Sequence, residues 1–287
     1  MTASATDFAA RIARLFVYPV KSCAGIELTE AVLTSAGLDL DRAWMVVDEQ
    51  GTFVSQRELP RMALVRPQLK QHEVVLRAPG MLALHLSIEG VEGPARVRVW
   101  DDEVDAYDMG DVAAQWFSDF LGRRLRLVRF DPEQRRLSSM EWTGGVEAPN
   151  QFADAFALLV ASEASLAGLN ERLARAGQAP VGIERFRPNI VLAGVEAHDE
   201  DRVDVLSIAA ERPVVIKPVK PCARCPIPNV DPQTGESSPE VLDTLQGYRQ
   251  DARVGGAVTF AMNAIVLEGE DAVLRVGQAV SGDWKFD

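Results

Sequence analysis

Residues 73–100, EVVLRAPGMLALHLSIEGVEGPARVRVW, decide the fold class of the first half of the chain. Three short runs lie inside this stretch: Glu73–Arg77, Leu82–Leu86 and Ala95–Trp100. In the last of them Arg96 and Arg98 alternate with Val97 and Val99, the two-residue period of a strand with one face buried. Gly- and Pro-containing turns separate the runs. Working outward, Ile12–Tyr18 alternates in the same way, and Ala43–Val47 is a short apolar run before a turn at Asp48–Gly51. One amphipathic helix interrupts the strands. Asp111 is its expected N-cap, and Trp116, Phe117, Phe120 and Leu121 fall on one face. Another strand follows at Leu125–Phe130. Strands at this spacing predict a barrel or a strongly bent sheet.

Residues 131–150 (DPEQRRLSSMEWTGGVEAPN) mix charge, Pro and Gly with no sustained period, which marks a domain junction or a functional loop. Beyond it, a strand at Phe156–Ala161 leads into a helix that Ser162 is expected to cap, with Leu166, Leu169 and Leu173 buried. A second capped helix is expected at Ser238–Pro239. Strands are expected at Asn189–Ala193, Val203–Ile208, Val214–Val219, Val258–Leu267 and Val273–Val276. No internal repeat or low-complexity tract is present in the sequence.

The 287 residues are 47% hydrophobic, ample for a large core, and carry a formal charge of −12. Such a balance argues against nucleic acid, where phosphates need clustered Lys and Arg, and against an anionic membrane surface. It leaves room for a local basic cluster around an anionic cofactor. The N-terminus, MTASATDFAARIARLFVYPVK, has no apolar run of signal-peptide length, and no segment approaches the roughly 20 apolar residues of a membrane helix. Cysteines 23, 222 and 225 are an odd number and form no disulfide framework, so a reducing cytoplasm is the expected location.

The sharpest chemical feature is residues 217–232, KPVKPCARCPIPNVDP. Four readings of its cysteines stay open. A redox disulfide wants a helix running on from the second cysteine, which Pro226 and Pro228 oppose. A structural zinc site needs further ligands, yet only Cys23 and the scattered His72, His85 and His198 remain. The cysteines can also be small buried hydrophobes. Finally, a single soft thiolate can bind a transition metal if a cofactor supplies the other sulfur donors. Arg224, Lys220 and Lys217 favour a thiolate and attract an anion, although each alone is equally a solvated charge.

Two further clusters bear on an anionic ligand. In YPVKSCAG (18–25), Lys21 and Ser22 leave a strand into a tight turn and can offer an ammonium and a hydroxyl to phosphate. In FRPN (186–189), Pro188 is expected to hold Arg187 extended. Arg187 can fork onto phosphate and Asn189 can read a heterocycle edge. The plain alternatives are a polar turn and an ordinary ion pair.

Taken in order, YPVKSCAG (18–25), DRAW (41–44), FRPNIVLAG (186–194), PCARC (221–225) and VDPQTG (230–235) resemble the MOSC family, named for the molybdenum cofactor sulfurase C-terminal domain. The resemblance covers about residues 10–282, and within the family it points to the amidoxime-reducing members. It implies a mixed α/β, β-rich chain: residues 10–130 as an N-terminal MOSC β-barrel domain, 131–150 as junction, and 151–285 as a MOSC β-barrel decorated with helices. It also implies molybdenum–molybdopterin as cofactor, with Cys225 as metal ligand and catalytic centre. Lys21, Ser22, Arg42, Ser162, Arg187, Asn189, Ala223 and Arg224 would surround the cofactor. Arg57, in SQRELPRM (55–62), matches a basic position of the family.

The chain departs from the family at Pro228–Asn229, where relatives carry one or two threonines near the open metal position. No iron–sulfur cluster is expected, since an appended ferredoxin domain needs its own cysteine ligands. The membrane-targeting N-terminus of mitochondrial members is not expected either. The implied function is a molybdenum cofactor-dependent oxidoreductase that reduces N-hydroxylated small molecules with electrons from a separate ferredoxin or flavoprotein. A competing role is a sulfur carrier or cofactor-handling protein using a Cys225 persulfide.

Overall fold

The run Leu158–Ser162 is apolar at every position but its last because both of its faces are buried in a closed barrel. The computed structural model describes residues 6–285. Its seven barrel strands follow the order Leu158–Ser162, Ile190–Ala193, Phe8–Val17, Ala279–Trp284, Val203–Ile208, Val214–Ala223 and Ala257–Glu268, and the last pairs back onto the first. The first two are parallel and all other neighbours antiparallel. Closure gives every barrel strand two partners, which removes open edges.

Alternate residues serve two cores, as the strand period requires. Leu158, Val160, Ile190 and Leu192 join Ile12, Leu15, Leu206 and Ile216 in one cluster. Leu159, Ala161 and Val191 join Leu169 and Leu173 of the helix Glu163–Arg175, and Val241 and Leu245 of the helix Glu240–Gln246. Each fully buried Leu in such a cluster contributes about 1.5–3 kcal/mol.

Phe8–Val17 is thus a barrel strand drawn from the far end of the sequence, and Glu30–Thr34 also reaches across to pair with Val273–Arg275. Between these and the barrel's second half lie a four-stranded sheet and a three-stranded sheet. The first has the order Trp44–Val47, Arg126–Phe130, Asp102–Asp108, Gly93–Val99; the second, Arg66–Leu69, Glu73–Arg77, Leu84–Ser87. The helix Asp111–Leu121 packs on them through Trp116, Phe117, Phe120 and Leu121, the face read from the sequence. The expected β-rich architecture with a helix-decorated barrel is what the chain adopts.

Details differ. Asp111 is the first helical residue, and Gly110 holds the N-cap position at φ 89°, tied by its N–H to Asp108 Oδ1 at 2.7 Å. The helix expected from Ser238 begins at Glu240 with Pro239 at its N-cap and no side-chain cap. The stretch 131–150 carries a one-turn helix, Met140–Thr143, and a bridge between Leu137 and Pro149. Among the described residues no helix is long and apolar enough to cross a membrane.

Candidate functional site

Pro218 and Pro221 lack the N–H that a central strand must donate, and the strand Val214–Ala223 accommodates them with register shifts. Shifts fall between Pro218 and Lys220 and between Pro221 and Ala223. The strand therefore runs past the expected end at Val219 and carries Cys222 and Ala223 to the rim of a cleft. Pro226 then admits only a single 3-10 turn, Ile227–Asn229, which leaves Cys225 on an irregular segment between strand and turn. All three cysteines are free. Arg224 donates from Nη1 to Cys222 Sγ at 3.0 Å, while the Cys225 thiol has no hydrogen-bond partner among the described residues.

A second wall grows from Tyr18. Its ring is fully buried between two guanidiniums, Arg42 at 4.5 Å and Arg187 at 4.3 Å. Gly25 makes room for that ring, since a Cβ there would lie 2.4 Å from Tyr18 Cε1. Arg42 donates to Asp41, to Asn189 Oδ1 at 3.1 Å and to the Arg187 carbonyl at 3.1 Å. Arg187 donates from Nη1 to the Cys23 carbonyl at 2.5 Å, but its Nη2 is buried with no partner. Burial, then the neighbouring Arg42 charge, pushes the Arg187 guanidinium down to about 10. Arg224 has a buried, unpartnered Nε on the same cleft.

Three side chains of this site sit on left-handed backbone: Ser22 at φ 64°, Arg42 at φ 52° and Arg187 at φ 60°. Such a conformation costs a non-glycine residue about 1–2 kcal/mol and persists only where surroundings enforce it. Here Gln56 Nε2 clamps the Ser22 carbonyl at 2.7 Å, the Arg42 N–H donates to Tyr18 O at 2.9 Å, and the Arg187 N–H donates to Glu184 O at 3.2 Å. The extended conformation expected for Arg187 is overridden by that turn and by the bond from Arg42.

The cleft measures about 760 Å³ including the part open to solvent. It brings together Lys21, Ser22, Arg42, Arg57, Arg187, Asn189, Ala223, Arg224 and Cys225 from five separate stretches of sequence. Lys21 is buried; its Nζ donates to the Phe152 carbonyl at 2.8 Å and to Asp154 Oδ1 at 2.5 Å. Burial lowers the lysine's proton affinity, and Asp154 opposes that shift. Desolvation works against charge on Asp154 too, but Lys21, with Arg57 and Trp100 behind it, holds the carboxyl well below the usual carboxylate range. Cys23 lies outside the lining, and burial pushes its thiol up to about 12, which suits an inert core residue.

Ser162 is the one expected site residue that does not line the cleft. Its hydroxyl accepts from the Ser165 N–H at 3.1 Å as a helix cap and donates to Glu200 Oε2 at 3.0 Å. Burial pushes Glu200 up to about 7 there. Asn189 does line the cleft, but its amide is committed to the framework. Nδ2 donates to Phe16 O at 3.2 Å, and Oδ1 accepts from Leu159 N and Arg42 Nη1, each at 3.1 Å.

Three residues escaped the sequence reading. Asp154 is the only carboxylate among the lining residues. Trp100 donates to it from Nε1 at 3.3 Å. Arg136, 7% exposed, donates to Asn150 Oδ1 at 2.5 Å and to the carbonyls of Gln151, Ala153 and Asp154, and so fixes the segment that presents Asp154. No spacing distinguishes Asp154 among 42 acidic residues or Arg136 within a stretch without periodicity.

Among the described residues no three His, Cys, Asp or Glu side chains converge, so a metal at Cys225 has to bring most of its ligands with it. The arrangement is suited to a polyanionic ligand that carries a soft metal: guanidiniums with unused N–H groups line a cleft with one open thiol.

Comparison with known proteins agrees with this architecture. Residues 9–124 match the MOSC N-terminal beta barrel domain, and residues 147–281 match the MOSC domain. The chain is 37% identical over 248 residues to mitochondrial amidoxime reducing component 2 of Bos taurus, covering 83% of this chain and 72% of that one. It is 37% identical over 249 residues to mitochondrial amidoxime-reducing component 1 of Homo sapiens, with the same coverage of both chains. Molybdenum cofactor sulfurase of Bos taurus is 30% identical over 256 residues, covering 83% of this chain but only 29% of that larger protein. Family models spanning both halves, and relatives of this identity and coverage, establish that the chain belongs to the MOSC family.

Proposed function

We propose that this chain binds a molybdenum–molybdopterin cofactor in the cleft, with Cys225 as the protein's metal ligand, and reduces N-hydroxylated small molecules. The observation that carries the reading is the cleft's chemistry. Five cations, Lys21, Arg42, Arg57, Arg187 and Arg224, face one open thiol in a protein of net charge −12, and two of them keep buried N–H groups without a partner. A buried donor left unpaired costs about 1–3 kcal/mol, so these groups fit a ligand rich in acceptor oxygens. The names of the relatives, amidoxime reducing components and a molybdenum cofactor sulfurase, supply the substrate class and the metal.

Lys21, Ser22, Arg42 and Arg187 are the residues to hold phosphate and pterin, and Ala223 and Arg224 flank the thiolate of Cys225. When bound, the cofactor supplies two-electron redox chemistry, while the protein contributes binding, orientation and electrostatics. The net reaction takes an amidoxime, two electrons and two protons to an amidine and water. In this proposal its electrons come from a separate ferredoxin or flavoprotein. Three free thiols suit a reducing, cytoplasmic compartment.

The test is turnover. Cofactor-loaded protein supplied with a chemically reduced viologen is expected to convert benzamidoxime to benzamidine over many cycles, followed by chromatography. Absence of product, together with one extra sulfur atom on Cys225 by mass spectrometry of metal-free protein, would instead establish the sulfur-carrier role.

A further inference from the structure

Glu200, 1% exposed, is a carboxyl buried away from the cleft, against the first turn of the helix Glu163–Arg175. Three oxygen–oxygen contacts close a ring there. Ser162 Oγ lies 3.0 Å from Glu200 Oε2, Ser165 Oγ lies 2.6 Å from Oε1, and the two serine oxygens lie 2.7 Å apart. Each contact needs one hydrogen, and the two hydroxyls supply only two. Two backbone N–H groups also reach the ring, from Ser165 to Ser162 Oγ at 3.1 Å and from His198 to Ser165 Oγ at 2.8 Å. Each of them fills one lone pair of a serine oxygen and leaves the other for a hydrogen from within the ring. An ionised Glu200 therefore leaves one pair of touching oxygens with no hydrogen between them. A proton on Glu200 completes the count, because acid, first serine and second serine then each donate once around the ring.

The surrounding charges do not compensate an anion. Among the described residues no Lys, Arg or His donates to Glu200, whose side-chain partners are the two serines. In its own turn, Asp199–Arg202, Arg202 pairs with Asp199, and Asp201 repels a second negative charge. Arg249 donates to Asp201 Oδ2 at 2.7 Å, and Arg253 to Asp251 Oδ2 at 2.7 Å. On the helix, Arg172 lies 3.9 Å over the Tyr248 ring, and Glu163 adds another acid. On the strand Val214–Ala223, Lys217 pairs with Asp204 at 3.5 Å and Lys220 lies 4.8 Å over the Trp142 ring. Leu158–Ser162 has no charged residue, and Ala257–Glu268 has one at its far end. Burial, then Arg249 and Arg172, pushes His198 down to about 4, so its ring is neutral at neutral pH. The hydroxyls and the Glu200 N–H favour the anion, but burial outweighs them and pushes the carboxyl from about 4.5 up to about 7.

From this geometry we infer that Glu200 is the carboxylic-acid member of a closed ring with Ser162 and Ser165, a proton-operated clasp that ties the turn 198–202 to the helix Glu163–Arg175. The clasp gives Ser162 a role away from the cleft. The sign follows from linkage. A carboxyl raised on folding makes the folded chain take up a proton, so its contribution to stability is complete below about pH 4.5 and is lost as pH rises through about 7.

Glu200→Gln in the full chain tests the clasp, since a carboxamide N–H can stand where the acid proton stood and does not titrate. The unfolding constant of wild type relative to Glu200→Gln, from urea unfolding, is expected to rise about fiftyfold between pH 5 and pH 8. Infrared difference spectra are expected to show the C=O stretch of a neutral carboxyl in wild type at pH 6. That stretch is lost by pH 9 with a midpoint near 7, and Glu200→Gln lacks it at both pH values. Absence of the stretch from wild type at pH 6, its retention in Glu200→Gln, or a pH dependence of stability shared by both proteins would overturn the inference. If Glu200→Gln does not fold, Asp201→Asn decides: the stretch persists there if Glu200 carries the proton and vanishes if Asp201 does.

Discussion

Arg187→Met protein is expected to purify with about tenfold less molybdenum cofactor than wild type, or lower still, and with an unfolding midpoint close to wild type. A charge-assisted hydrogen bond to an anion contributes about 1.5–3 kcal/mol, and 1.4 kcal/mol is a factor of ten in affinity. Arg187 offers its unpartnered Nη2 to the cleft and sits between Tyr18 and the Cys23 carbonyl, so Met removes that donor while keeping apolar bulk on the ring. Stability moves little because two effects oppose. The variant loses the bond to Cys23, but it also loses a buried charge crowded by Arg42. The sign follows from linkage: a guanidinium whose folded pKa is pushed down to about 10 is charged in both states at neutral pH, so its penalty is present in full there and is relieved only as pH rises through that value. Fluorescence of the oxidised pterin measures the first quantity and urea unfolding the second. Full cofactor content in the variant would show that Arg187 holds the fold and not the ligand.

Asn189→Leu is expected to have the largest effect on stability, a loss of roughly 3–5 kcal/mol in urea-induced unfolding. Asn189 is fully buried and near-isosteric with Leu, so the loss has little to do with volume. Its amide ties the Leu159 N–H of one barrel strand to the Phe16 carbonyl of another and also anchors Arg42. Leucine leaves that N–H and that carbonyl buried and unmet, each costing about 1–3 kcal/mol. A loss below about 1 kcal/mol would mean that the amide serves the cleft instead of the barrel.

These two residues show how far the sequence carries. Both come from FRPN, and the sequence marks both as candidates for an anionic ligand. Only the fold separates them, since the partner of Asn189 Nδ2 lies 173 positions away at Phe16. Side-chain period made most strands legible: Glu73–Arg77 and Val203–Ile208 have the bounds read from the sequence. It failed at Asp102–Asp108, where DEVDAYD turns acidic residues to solvent and buries only Val104 and Ala106. It stopped short at Val219, because prolines that normally end a strand are absorbed here by register shifts. The cleft residues with motif-like neighbours were legible, and all but Ser162 line it. Ser162 was also readable as a helix cap, and the cap is what its hydroxyl forms. Asp154 and Arg136 were not legible, because their meaning lies in what long-range folding sets beside them.

The central claim is that Cys225 anchors molybdenum carried by a pterin. Elemental analysis of freshly purified wild type and Cys225→Ser, after expression with added molybdate and alongside pterin fluorescence, tests it most directly. The account predicts near-stoichiometric molybdenum in the wild type and its loss or steep reduction in Cys225→Ser, with both proteins folded. Zinc in the wild type, or neither metal nor pterin, would contradict it.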